Sequence, residues 1–279
     1  MKLVYSPLPV GAEVIGWSPD LFEDKEAIIS LRNALLRFHA LVIRGHVLTP
    51  DQLVKAGHMF GHKLLTTGKD FWYSENYPQI FKLTNEATQV HNCACEDWHC
   101  DGHYLPDPCG ITVTNMATAA GGALSFCDLY SAFDSLDDKL RAALAQLRCA
   151  NSSGVIQPLV RRHPATGRIG LYTNMYSQVV APNGQHLKDV EQNIKKLLDR
   201  FAYKHEWRTG DITILDNFAV THKACPGAPD NLEVLQRVQT VASATFWRPA
   251  CAAPAQRTTA ASPAVCNAGA RAIENASVA

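Results

Sequence analysis

His99 and Asp101 are an imidazole and a carboxylate separated by one residue, in the run Trp98-His99-Cys100-Asp101. On an extended strand residues i and i+2 share a face, so the pair can aim a nitrogen and an oxygen at one point without backbone strain. A third candidate, His222, closes the stretch Asp216-Asn217-Phe218-Ala219-Val220-Thr221-His222 far downstream. Two histidines and one carboxylate cover one face of an octahedron and leave the other positions open, which is the ligand set of non-haem Fe(II) oxygenases. The same side chains also suit a catalytic zinc ion, and with it a hydrolase. His91, Cys93, Cys95, His99, Cys100, His103 and Cys109 crowd around the first motif, yet no C-x2-C pair recurs at the spacing of a structural zinc site. Cys100 should point to the opposite face of the strand. His103 and Tyr104 follow the motif and are candidates for the wall of a substrate pocket.

The elements that must position these residues are readable in part. Residues 25–39 carry Ile28, Ile29, Leu31, Leu35, Leu36 and Phe38 at helical spacing. Ala40 to Ile43 is a short apolar run ended by Arg44-Gly45, a buried strand. Thr49-Pro50-Asp51-Gln52 is a helix start, with Thr49 as N-cap, Pro50 at N1 and Gln52 completing a capping box. That helix should end at Gly61. Ile80 to Leu83, Val155 to Val160, Gly170 to Asn174, Asp211 to Asp216 and Val238 to Phe246 read as strands. So does the extended segment from Trp98 to Met116, interrupted by Pro106, Pro108 and Gly110. Ala132 to Cys149 reads as one helix. His186 to Tyr203 is the clearest amphipathic helix, with Leu187, Val190, Ile194, Leu197, Leu198 and Phe201 on one side, and its role is core packing. Short strands with interspersed helices predict a mainly β fold, a double-sheet jelly roll with helical insertions.

The chain has 279 residues and 47% hydrophobic content, enough for a substantial core. Lys+Arg and Asp+Glu balance at 26 each, which gives no reason to invoke nucleic acid or an anionic membrane as partner. No stretch approaches about 18 apolar residues and the N-terminus lacks a signal-peptide apolar run, so a cytoplasmic location is expected. Nine cysteines, an odd count in a chain too large to need disulfides, read as reduced thiols. From Pro249 the composition turns to Ala, Pro, Ser, Thr and Asn. One domain over residues 1–248 with a disordered tail over 249–279 is therefore expected. The sequence leaves a homo-oligomer open.

Taken in order, several stretches resemble the TauD/TfdA (taurine dioxygenase-like) family of Fe(II)- and 2-oxoglutarate-dependent oxygenases. Phe38 to Gly45 with Leu48 to Gln52 and Phe60-Gly61 resembles its N-terminal strand–helix unit. Trp98 to Asp101 resembles its first ligand motif, and Gly121-Gly122 through Phe126, Asp128 and Ala132 its following loop. Arg162 to Arg168 with Leu171 to Asn174 resembles its central hairpin, and Gly210-Asp211 through Asp216-Asn217 to His222 its second ligand motif. The resemblance implies a double-stranded β-helix, a distorted jelly roll, with His99, Asp101 and His222 as iron ligands and 2-oxoglutarate and O2 as cosubstrates. It also implies an arginine downstream of the second histidine that grips the far carboxylate of 2-oxoglutarate. Arg237 is the only arginine between His222 and Arg248, and a guanidinium fork suits a carboxylate. Asn174 and Tyr176, after the central hairpin, are further candidates near the substrate.

The chain departs from the family pattern twice. In taurine dioxygenase the cosubstrate arginine lies in register with Glu233 here, and Arg237 lines up with an arginine aimed at a sulfonate or sulfate. The family's Gly-Gly-Asp-Thr reads Gly121-Gly122-Ala123-Leu124, so Leu124 replaces a threonine that contacts 2-oxoglutarate. These departures make taurine an unsuitable substrate. They also leave room for a catalytically silent jelly-roll protein that senses 2-oxoglutarate or iron. The carboxylate at Asp101 favours hydroxylation, desaturation or oxidative ring closure over halogenation, because related halogenases lose that group to make room for a halide. A small polar molecule, an amino acid or a secondary-metabolite intermediate, is the expected substrate.

Overall fold

A computed structural model describes residues 2–66, 73–84, 95–119, 121–225, 227 and 232–247. The tail expected to be disordered, 249–279, lies outside the described residues, as do His91 and Cys93.

Two β-sheets face each other. The larger has seven strands in the order Val4–Pro7, Ala12–Ile15, Ala40–Ile43, Ile212–Asp216, Cys109–Thr118, Val234–Val241 and Phe81–Thr84. The smaller has three, in the order Ala202–Glu206, Ala123–Asp128 and Val220–Cys225. All pairings in these two sheets are antiparallel except the one between Ala12–Ile15 and Ala40–Ile43. This is the expected distorted jelly roll, with ends that carry helices and hairpins.

Strand alternation sorts the core into three layers. Ile111, Val113, Ile212, Ile214 and Val238 face outward from the large sheet onto Leu31, Leu35, Leu53 and Ala56 of the helices Lys25–Phe38 and Pro50–His58. Met116, Leu124, Phe126, Leu215 and Trp207 fill the space between the sheets. Behind the small sheet, Trp98, Cys100, Cys127, Leu129 and Tyr172 pack against Val190, Ile194 and Leu198 of the helix Lys188–Arg200.

The two N-terminal helices start where their polar residues cap them. Asp24 accepts from the Ala27 amide at 3.0 Å. Thr49 and Gln52 exchange both bonds of the capping box, so the sequence reading holds there.

Elsewhere boundaries moved. The helix expected over Ala132 to Cys149 is two short ones, Leu129–Asp134 and Asp138–Leu144. Asp137 caps the second through the Leu140 amide at 2.7 Å and so restarts the chain. Cys149 then lies in a short strand, Arg148–Ala150. The helix at His186 to Tyr203 stops at Arg200, because Ala202–Glu206 pairs with Ala123–Asp128. Val155 to Val160 splits into Ile156–Pro158 and Val160–Arg162, and Gly170 to Asn174 contributes only to the short strand Ile169–Leu171. The last strand begins earlier, at Val234, and ends at Val241 in a turn of 3-10 helix. No periodicity marked the strands Val4–Pro7, Ala12–Ile15, Ala123–Asp128, Ala202–Glu206 or Val220–Cys225. Their alternation is short, and tertiary pairing decides them.

Candidate metal centre

His222 sits on the small-sheet strand Val220–Cys225, opposite Phe126 in register. His99 meets it directly. The two residues exchange both backbone N–H···O bonds at 3.0 Å, an isolated antiparallel bridge at the edge of that sheet. Their rings approach to 4.3 Å between centroids. Asp101 does not continue a strand, contrary to the extended segment expected from Trp98 onward. The chain turns at Asp101 to Pro108 before the strand Cys109–Thr118 begins. The turn depends on Gly102, whose φ is +64° and whose place leaves no room for a Cβ, since one would lie 2.5 Å from Cys109 Sγ. Cys100 points the other way, into the layer behind the small sheet, as its position between the ligands required.

Asp101 and His99 are held from behind, whereas His222 Nδ1 is buried with no hydrogen-bond partner among the described residues. The Asp101 amide donates to Asn217 Oδ1 at 3.1 Å, Asn217 Nδ2 donates to Thr112 Oγ1 at 3.0 Å, and the Thr112 hydroxyl donates to Asp101 Oδ2 at 2.7 Å. His99 Nδ1 lies 2.9 Å from the Asp97 carbonyl. A proton on Nδ1 leaves Nε2 as the free donor atom, the usual way a ligating histidine is oriented. Thr112 and Asp97 escaped the sequence reading. Thr112 left a faint signal, a polar residue alternating with Ile111 and Val113 on the inward face of its strand, while Asp97 left none.

The three donors converge. His99 Nε2 lies 3.9 Å from Asp101 Oδ1 and His222 Nε2 lies 3.7 Å from Asp101 Oδ2. All three ligand atoms fall within 4.8 Å of one another, and all three residues are buried. The nitrogen–oxygen separations are too long for hydrogen bonds. They are short enough for one ion with bonds of about 2.1 Å to touch both. The two imidazole Nε2 atoms face the carboxylate beyond hydrogen-bond distance, and this donor set fits a cation.

Protonation points the same way. Burial alone would raise the Asp101 carboxyl, but Arg237, His222, His99 and the Thr112 bond outweigh it and hold the group well below the usual carboxylate range. Burial, with His99 alongside, pushes His222 down to about 3, and burial also lowers His99. An ionised carboxylate and two neutral imidazoles are the forms that bind a divalent metal.

Arg237 stands on the strand Val234–Val241, opposite Thr114. Its guanidinium lies 5.2 Å from the centre of the Phe81 ring, and one nitrogen is 3.2 Å from Asp101 Oδ1. Leu124, at the position of the family's threonine, packs with Met116, Phe126 and Leu235 between the sheets.

The other candidates divide. Tyr104 is half exposed, and Arg237 and Asp101 are among the charges that act on its phenol after burial. His103 is fully buried and stacks on Tyr172 at 4.8 Å. Burial pushes its imidazole down to about 4. Asn174 turns its side-chain oxygen to the Tyr176 amide at 2.8 Å, so it shapes the turn that carries Tyr176. Tyr176 itself lies 6.0 Å from the His99 ring, and its hydroxyl accepts from the Asp97 amide at 3.0 Å.

A jelly roll with two histidines and a carboxylate between its sheets defines a class, the mononuclear non-haem iron oxygenases. The chain belongs to the taurine catabolism dioxygenase TauD, TfdA family, whose sequence model matches residues 4–239. It is 25% identical to pentalenolactone F synthase of Streptomyces avermitilis, over 88% of this chain and 95% of that one. It is 24% identical to the (S)-phenoxypropionate/alpha-ketoglutarate-dioxygenase of Delftia acidovorans, over 78% of this chain and 87% of that one. The fold matches the crystal structure of a taurine dioxygenase from Burkholderia xenovorans with a TM-score of 0.74 at 24% identity, covering 86% of this chain and 89% of that one. The protein is an Fe(II)- and 2-oxoglutarate-dependent dioxygenase that uses O2 and acts on a small molecule. Among the described residues no helix is long and apolar enough to cross a membrane.

Proposed function

We propose that this dioxygenase oxidises an unactivated C–H bond of a small polar substrate, an amino acid or a secondary-metabolite intermediate rather than taurine. The outcome is hydroxylation, desaturation or oxidative cyclisation, with release of succinate and CO2. The observation that carries the reading is the buried convergence of His99, Asp101 and His222 beside the Arg237 guanidinium. Bound there, Fe(II) supplies the redox chemistry that couples O2 and 2-oxoglutarate to C–H oxidation.

The chain's own residues do the positioning. Asp101 stays ionised and occupies the place a halide would need. Arg237 grips the far carboxylate of 2-oxoglutarate, and the apolar side chains of Leu124, Met116 and Leu235 keep water from the space between the sheets. With Arg237 committed to the cosubstrate, Tyr104 and Tyr176 at the exposed side of the triad are left to meet the substrate. Resemblance to the pentalenolactone F synthase supports a secondary-metabolite substrate. A cytoplasmic location accords with the six cysteines that stand free among the described residues.

Anaerobic addition of Fe(II) and 2-oxoglutarate to the metal-free chain should produce a weak visible charge-transfer band. Admission of O2 with a panel of amino acids and small organic acids should then release succinate. Absence of both band and succinate, with zinc-dependent hydrolysis in their place, would overturn the reading.

A further inference from the structure

The helix Lys188–Arg200 buries Val190, Ile194 and Leu198 behind the small sheet, which accounts for its apolar face but not for two charged residues one turn apart. Asp199 Oδ1 accepts from Trp98 Nε1 at 2.8 Å and from Lys223 Nζ at 2.6 Å. Trp98 immediately precedes His99, and Lys223 immediately follows His222. The Lys223 ammonium lies 4.5 Å from the centre of the Trp98 ring, so the three groups close on one another. One turn earlier, Lys195 Nζ donates to Asp97 Oδ2 at 2.6 Å. Asp97 is the residue whose carbonyl orients His99 and whose other carboxylate oxygen accepts from the Trp98 amide at 2.9 Å.

Building on the metal-centre reading above, we infer that Asp199 and Lys195 are positioning residues that clamp both histidine-bearing segments from the back of the sheet. His99 lies on an isolated bridge rather than in a continuous ladder; its segment adds single backbone bonds, from Met175 N to Trp98 O and from Ala224 N to Cys95 O, so side-chain contacts share in fixing its place. The Trp98 indole is fully buried, and without Asp199 its N–H would lose the charge-assisted bond that this helix supplies. Because one carboxylate oxygen holds a residue beside each ligand, the helix sets the spacing between the two imidazoles. The metal site is thus built from three elements, and the third never touches the ion.

The test is Co(II) titration of the metal-free chain, followed by its visible absorption, with the melting temperature of the same metal-free samples as a second readout. Asp199→Ala should weaken Co(II) binding about tenfold, the lower end of what loss of an outer partner costs a metal site. Asp199→Asn keeps an oxygen for the Trp98 N–H and should lose no more than about threefold of the affinity. Lys223→Met, which keeps the stem and removes the charge, should fall between the two. Lys196→Ala, on an exposed neighbouring position of the helix, should bind as the parent chain does. Wild-type affinity in Asp199→Ala, with only its melting temperature lowered, would overturn the clamp. If that variant does not fold, wild-type affinity in Lys223→Met overturns it equally. A parent chain that binds no Co(II), or binds it unchanged after His222→Ala, would instead overturn the metal centre and the clamp together.

Discussion

The two ends of the space between the sheets are built differently. At the metal end Asp101 and His99 are each supported more than once. Asp101 is held by Asn217 and Thr112, His99 by Asp97 and by the bridge to His222, and both histidine segments by the helix behind them. At the other end, Arg237 pairs with Asp101 Oδ1 at 3.2 Å and lies beside the Phe81 ring, with Leu124 where the family carries a hydroxyl. On the proposed roles, metal binding would rest on a network, whereas Arg237 alone would grip the far carboxylate of the cosubstrate. Single substitutions should therefore spare the first function in degree and strike the second outright.

Arg237→Ala gives the largest effect. It removes the charged partner of a buried carboxylate, so the KM for 2-oxoglutarate should rise about 100-fold, roughly 3 kcal/mol. Co(II) affinity should change much less. A substrate KM that rises while the 2-oxoglutarate KM stays put would reassign Arg237 to the substrate.

Next in size is the pH dependence of the metal end. An unfolded imidazole takes up its proton near 6.5, but buried His222 does so only near 3. Between those values the unfolded chain binds more protons, so the metal-free protein loses stability as pH falls from about 6.5 toward 3. His103, held at about 4 by burial, contributes with the same sign. The melting temperature of the metal-free chain should thus drop more steeply over this range than that of His222→Gln. Parallel curves would show that His222 is not neutral in the folded state.

The smallest effect expected is from Leu124→Thr. A hydroxyl restored at the apolar end adds one neutral hydrogen bond, about 1 kcal/mol, and should lower the 2-oxoglutarate KM by about fivefold. No change would mean that the cosubstrate lies away from Leu124.

Much of this was legible in the residues themselves. The capping box at Thr49 and Gln52, the apolar strand Ala40–Ile43 and the opposite orientation of Cys100 follow from local chemistry and alternation. The pairing of His99 with His222 was legible only as a ligand set, because 122 residues of intervening chain carry no local record of the bridge. The turn at Gly102 broke an extended reading, since a strand and a tight turn beside a ligand share similar composition over so few residues.

The sequence alone determined which groups are available: two imidazoles and a carboxylate of the right types, one arginine between His222 and Arg248, a leucine in place of a threonine. Those are covalent facts, and chemistry restricts what they can bind. Only the tertiary structure decided that Asn217 and Thr112 orient Asp101, that Asp97 orients His99, and that a helix read as plain packing reaches both ligand segments. Such contacts join residues far apart in the chain, and their energy exists only once the sheets have closed and water has left the space between them.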